Sequence, residues 1–182
     1  MRCAPAPAPA PGPYTHRGMH LLELLVAVAV LAILLAAGWP TFQALLVQQR
    51  SEATRFNLHS GLATARTQAI MRRALVGLCA STDGRRCSDD WSQGWIVYST
   101  GGRRQPPSSA DAVLLHQSGL PNVSIRATSN SGRAQLYFQP DGRSPGANLT
   151  LRICADGRER SHVIVSNSGR IRSTRTRSDQ PC

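Results

Sequence analysis

The chain has 182 residues, enough for one ordinary globular core with extensions and too few for two independent domains. Its formal charge of +11 comes wholly from arginine, since all 21 basic residues are Arg and none is Lys. That surplus favours an anionic partner, nucleic acid or an acidic membrane surface, although codon usage in a GC-rich genome accounts for the missing lysines equally well.

Residues 1 to 13 alternate Ala and Pro, which cannot form a helix and reads as an extended leader. After Gly18 the character changes to MHLLELLVAVAVLAILLAAGWP. From Leu24 to Trp39 there is no charged or strongly polar residue, and with Met19 to Leu22 the stretch reaches membrane-spanning length, interrupted by Glu23 alone. A secretory signal fits poorly, because it has no use for an acid near the start of its apolar core. A plain anchor explains the length but leaves a carboxylate in hydrocarbon, at a cost of about 2.5 to 3.5 kcal/mol without a partner.

The run Gly18-Met19-His20-Leu21-Leu22-Glu23-Leu24-Leu25 resembles the processing site of the type IV pilin and pseudopilin superfamily, in which Glu is the fifth residue after the cleaved Gly. Pro40 also falls where these helices often carry Pro. Met19 in place of the usual Phe, and His20 where Thr or Ser is more typical, depart from the pattern. The resemblance implies a prepilin peptidase that cuts after Gly18, N-methylation of Met19, and a Glu23 carboxylate that sets assembly register against the amine of a neighbouring subunit. A buried acid and amine compensate each other only in one offset.

Past Pro40, Leu58, Leu62, Ala65 and Ala69 recur at helical spacing among polar positions, so one helix is expected over residues 19–73. It would span roughly 80 Å, and its first half must be buried in something other than this chain's own head. Pro40, following Gly38, is expected to kink or locally unwind it.

From Ala74 to the C-terminus a β-rich head is expected, with strands at Leu75–Ala80, Gly94–Ser99, Val113–Gln117, Val123–Ala127, Gln135–Gln139, Leu149–Cys154 and His162–Asn167. Gly84, Gly101-Gly102, Asp141-Gly142 and Asp156-Gly157 are the turn signals. The fold class is therefore α+β, a long N-terminal helix packed on an antiparallel head. Of the five cysteines, Cys3 lies in the leader. Cys79, Cys87, Cys154 and Cys182 show no zinc spacing and suit an oxidising compartment. Three connectivities are open to them; Cys79 with Cys87 would close a short polar loop, and Cys154 with Cys182 would pin the tail, the pairing favoured here.

Three head segments, Trp91-Ser92-Gln93-Gly94-Trp95, Phe138-Gln139-Pro140-Asp141-Gly142 and Ser168-Gly169-Arg170-Ile171-Arg172, together resemble the minor pilin and pseudopilin family that includes GspH and FimT. The residues themselves read first as structure, the tryptophans as core and the glycines as turns. The five histidines are scattered and no nucleophile elbow or phosphate loop occurs, so no enzymatic activity, cofactor or small-molecule substrate is expected.

The tail carries Arg170, Arg172, Arg175 and Arg177 against one acid, Asp179. If residues 169–173 are extended, Arg170 and Arg172 share a face and can grip phosphates without reading bases. The Gly-Arg-x-Arg signature of the FimT branch, which falls on Gly169, Arg170 and Arg172, implies DNA capture in natural transformation. The competing expectation is a structural minor pilin, or a GspH-like pseudopilin of a type II secretion system, with the basic tail merely solvated. Either way the resemblance implies other pilin subunits as partners, a single pass of the inner membrane, and a periplasmic head.

Overall fold

The computed structural model describes residues 21–102, 105–129, 135–146, 148–176 and 181–182. They fall into two units divided between Thr41 and Phe42. A single helix, α1 (Leu21–Arg72), contributes to both.

In the first unit every described residue is exposed, including Leu21, Leu25, Ile33, Leu34 and Leu35. An 18-residue window of this helix reaches a mean hydropathy of 2.7. So large an exposed apolar surface requires cover from lipid or from other subunits. The helix runs through Pro40 without the local unwinding expected there. Proline removes one ladder donor, and the helical turns on both sides hold the remaining bonds in place.

In the second unit α1 buries the stripe Val47, Ser51, Thr54, Leu58, Gly61, Leu62, Ala65 and Ala69. The alternating spacings of three and four keep these residues on one side of the helix. The two hydroxyls in the stripe are satisfied locally, Ser51 Oγ donating to the Gln48 carbonyl at 2.8 Å and Thr54 Oγ1 to that of Arg50 at 2.9 Å. At Gly61 a Cβ would sit 3.1 Å from Trp95 Nε1, so the missing side chain is what lets the indole reach the helix. The helix ends in a left-handed cap: Arg73 has φ 49°, its N–H reaches the Ile70 carbonyl, and Ala74 N–H reaches that of Ala69.

Among the described residues eight strands follow: β1 (Leu75–Ala80), β2 (Gly94–Thr100), β3 (Val113–Ser118), β4 (Ser124–Ser129), β5 (Leu136–Phe138), β6 (Leu149–Ala155), β7 (Arg158–Val165) and β8 (Ile171–Arg175). They form two antiparallel sheets in the orders β3-β2-β1-β5 and β4-β6-β7-β8. Leu58, Leu62, Ala65 and Ala69 share one core with Val76, Leu78 and Val97 of the first sheet and Leu151, Ile153 and Val163 of the second. Trp91 and Trp95 are both 1 % exposed and belong to this core, as structure rather than a platform for ligand. On the far side of the first sheet Cys79, Ile96 and Tyr98 form a smaller cluster with Cys87 and Val113 packed against it.

β1 matches its expected bounds, whereas β7 begins four residues earlier than the sequence suggested and stops at Val165. The Asp156-Gly157 turn fixes the β6–β7 register, so the polar Arg158–Ser161 segment is zipped into the ladder despite carrying no strand-like pattern. β8 was not among the expected strands. Its pairing with β7, from Val165 with Ile171 to Ser161 with Arg175, supplies what its own sequence lacks.

Disulfides join Cys79 to Cys87 and Cys154 to Cys182, with Cα separations of 5.6 and 6.0 Å. Cys182 N–H also donates to the Gly157 carbonyl at 3.0 Å, and Pro181 bridges to Arg158. The end of the chain is thereby held against the β6–β7 turn.

Candidate nucleic-acid interface

The basic tail enters its strand through a tight turn. Gly169 has φ +75°, its N–H donates to the Ser166 carbonyl, and Ser166 N–H donates to that of Arg170. A Cβ on Gly169 would run into the Gly142 carbonyl. Two of the sequence segments noted above therefore meet here, and Ser144 N–H donating to the Asn167 carbonyl at 3.0 Å secures the junction. Only glycine offers both the backbone conformation and the space.

Strand alternation then divides the tail arginines. Ile171 and Ser173 face inward, Ile171 packing against the core, while Arg170, Arg172 and Thr174 are exposed on the outer face. Neither Arg170 nor Arg172 makes an ion pair or side-chain hydrogen bond among the described residues. Arg175 is different. It turns to α1, donating from Nε to Glu52 Oε1 at 2.9 Å and from Nη2 to Glu52 Oε2 at 2.9 Å. Arg55 also pairs with Glu52, at 2.8 Å, and donates from Nη1 to Ser173 Oγ at 3.0 Å. Of the four tail arginines, Arg175 is the one paired with the helix, because the strand period puts it on the opposite face from Arg170 and Arg172. Arg177 lies outside the described residues, as do Gly18 and Met19.

The Glu52 carboxyl is held below the ordinary glutamate value of 4.5, first by the hydrogen bonds from Arg175, against partial desolvation, and then by Arg55. The same pairing raises the Arg175 guanidinium further above its usual range.

The outer face that carries Arg170 and Arg172 continues across the sheet. In β4 and β6, Ile125, Leu151 and Ile153 are buried, which turns Arg126 and Arg152 outward. Arg126 pairs directly with Arg152 across those strands, Arg152 with His162 across β6–β7, and His162 with Thr174 across β7–β8. Among the described residues one acid, Glu159, reaches this surface. A register shift at Ile153/Cys154 lets Glu159 accept from Thr176 Oγ1 at 3.0 Å and lie 3.0 Å from His162 Nδ1, with Arg152 Nε 3.8 Å away. The alternation of Leu149, Leu151 and Ile153, visible in the sequence, puts Arg152 on the wet side of its strand. Its link to Arg126 and to the tail needs the strand order, which a sequence does not display.

In the first unit, Glu23 is exposed on α1 and makes no ion pair among the described residues. Among the described residues no group of three or more His, Cys, Asp or Glu could hold a metal ion. A pocket of about 250 Å³ lined by Ser92, Gln93 and residues 119–123 contains no charged side chain.

The sequence profile of the family described as type II transport protein GspH matches residues 54–169. The chain belongs to this GspH family of pilin-like minor pilins and pseudopilins, structural proteins rather than enzymes, and its apolar helix is that of a membrane or pilus subunit. It is 28 % identical over 166 residues to the pilin-like protein PilA1 of Thermus thermophilus, covering 87 % of this chain and 98 % of that one. Among solved structures, the type IV minor pilin FimU of Pseudomonas aeruginosa shares the fold with a TM-score of 0.54 and 20 % identity, over 78 % of this chain and 100 % of FimU. The minor pseudopilin EpsH of the type II secretion system of Vibrio cholerae does so with a TM-score of 0.54 and 14 % identity, over 73 % and 99 %. The two structures share the fold, and membership of the family implies assembly with other pilin subunits.

Proposed function

We propose that this chain is a minor type IV pilin that binds duplex DNA through its backbone and supports DNA uptake and pilus biogenesis. The observation that carries the reading is the pair of exposed guanidinium groups of Arg170, just before β8, and Arg172 in it, both on the outer side and without an ion-pair partner among the described residues. Planar guanidinium forks match phosphate oxygens, and such contacts fix a protein on a duplex without selecting a sequence. Prepilin peptidase cleaves after Gly18, Met19 is methylated, and Glu23 pairs with the amine of a neighbour in the filament. The helix crosses the inner membrane once before assembly and the head lies in the periplasm, where both disulfides persist.

A titration of the full-length chain in non-ionic detergent with duplex DNA at several salt concentrations tests this. Each phosphate contact contributes about −0.9 to the slope of log K against log salt, so Arg170→Ala with Arg172→Ala should lower its magnitude by about 1.8. Unchanged binding in that variant would overturn the reading.

The family match stops at residue 169, immediately before the arginine pair. That boundary supports a second reading, a purely structural minor pilin or type II secretion pseudopilin. It expects assembly and DNA uptake to survive loss of Arg170 and Arg172.

A further inference from the structure

Arg126 and Arg152 present a local arrangement that the fold by itself does not explain. They are direct partners across β4 and β6, both outward and both exposed. Like charges facing each other across an antiparallel pair are destabilising. Glu159 relieves this little, because it approaches only Arg152, at 3.8 Å, and already holds His162 and Thr176. Arg126 has no ion-pair or side-chain hydrogen-bond partner among the described residues. Hydroxyl groups flank the pair: Thr128 faces Thr150 two residues along the same two strands, and Thr174 lies in the Arg126–Arg152–His162 row. A local rule broken without compensation among the described residues points to a surface that acquires its compensation from outside.

We infer that the DNA surface runs across the whole outer face of the β4-β6-β7-β8 sheet, with Arg126 and Arg152 as additional contacts to duplex phosphates. This rests on the reading that Arg170 and Arg172 contact DNA. Arg152 and Arg172 lie on strands separated by β7, and Arg172 is opposite Ile164, two residues along β7 from the partner of Arg152. The four guanidinium groups therefore form an oblique band over the sheet rather than a row along one strand. A backbone crossing the strands meets two arginines at β4 and β6 and two more at β8. Hydroxyls between them donate to the intervening oxygens. Four such contacts give an expected slope near −3.6 for the intact protein.

The test uses the full-length chain in non-ionic detergent and a duplex of arbitrary sequence. Three charge-matched variants are compared: Arg126→Gln with Arg152→Gln, Arg170→Gln with Arg172→Gln, and, as control, Arg85→Gln with Arg86→Gln. The control residues are exposed in the loop closed by Cys79 and Cys87. The sheet variant is expected to lose about 1.8 from the slope, so that raising salt from 50 to 200 mM weakens it about tenfold less than the wild type. Arg126→Lys with Arg152→Lys should retain the wild-type slope, and near-ultraviolet circular dichroism should be the same in all variants. If the sheet variant matches the wild type or the loop control while the β8 variant loses slope, the inference falls and the β8 reading stands. If the sheet variant loses slope and the β8 variant does not, the sheet face stands and the β8 reading falls. A wild-type slope near zero removes both.

Discussion

Arg175 and Glu52 meet through two parallel hydrogen bonds, Nε to Oε1 and Nη2 to Oε2, each 2.9 Å, across 123 positions of sequence. The pairing fastens β8, the last strand, to the helix around which the head is built. Because the folded state holds the Glu52 carboxyl below 4.5, the pairing stabilises the fold fully above that pH. Its contribution is lost as pH falls through the lowered folded value. The hydrogen-exchange protection of the β8 amides, corrected for intrinsic rate, should fall below pH 4.5 in the wild type. In Glu52→Gln that pH dependence should be absent and the stability at pH 7 lower by about 1 kcal/mol. Identical exchange profiles in the two proteins would remove the role given to this pair.

The division of the tail arginines between two faces yields a sharper contrast. Arg175→Ala should leave the salt slope of DNA binding within about 0.3 of the wild type, since this side chain is spent on Glu52 and makes no phosphate contact. Arg170→Ala alone should reduce the slope by about 0.9. Equal losses from both would mean that the tail acts as a solvated cloud of charge.

Gly169→Ala combines an unfavourable φ of +75° with a collision against the Gly142 carbonyl. The left-handed conformation alone costs about 1 to 2 kcal/mol for a residue with a Cβ. Urea unfolding should show at least that loss. Gly146→Ala provides the comparison, because its φ is +82° and a Cβ there meets nothing within 4 Å. A larger loss at Gly169 than at Gly146 isolates the contact between the two turns.

The disulfides should differ in weight. By the chain-entropy argument, the 28-residue separation between Cys154 and Cys182 is worth about 3 to 4 kcal/mol and the 8-residue separation between Cys79 and Cys87 about 2 to 3. Paired Cys→Ser replacements followed by denaturant unfolding measure each. The order should reverse only if the Cys87 loop contributes much through the Ile96 and Tyr98 cluster that it helps to cover.

Glu23→Ala should abolish or strongly impair filament assembly while leaving the unfolding of the head unaltered, because Glu23 lies in the other unit and is exposed. Phe56→Ala is the useful companion. Its ring is 67 % exposed on the head's own stretch of α1, so head stability should change by less than about 0.5 kcal/mol. Assembly assays on both variants separate the need for a charge from the need for apolar contact.

The helix and most strands were legible because their signals are local. Leu58, Leu62, Ala65 and Ala69 announce a buried stripe, and Leu149, Leu151 and Ile153 announce a half-buried strand. β8 was harder to read, since Ile171 is its sole apolar residue and its stability comes from β7 beside it. The pairing of Arg175 with Glu52 was hidden for a related reason: spacing indicates which side of a strand a residue takes, but the acid it finds on α1 is a tertiary fact. The partnership of Arg126 with Arg152 was hidden likewise, because residues 26 positions apart become neighbours only through strand order.

The bond from Cys182 to Cys154 also determines how the head carries mechanical load. β8 lies at a sheet edge, where a pull on a free end would unzip it one hydrogen-bonded pair at a time. With the terminus covalently joined to β6, a strand paired on both sides, a tug at the tail is delivered to the middle of the sheet. A pull on the terminus therefore reaches β6, which is hydrogen-bonded to both β4 and β7, without first peeling the edge strand β8.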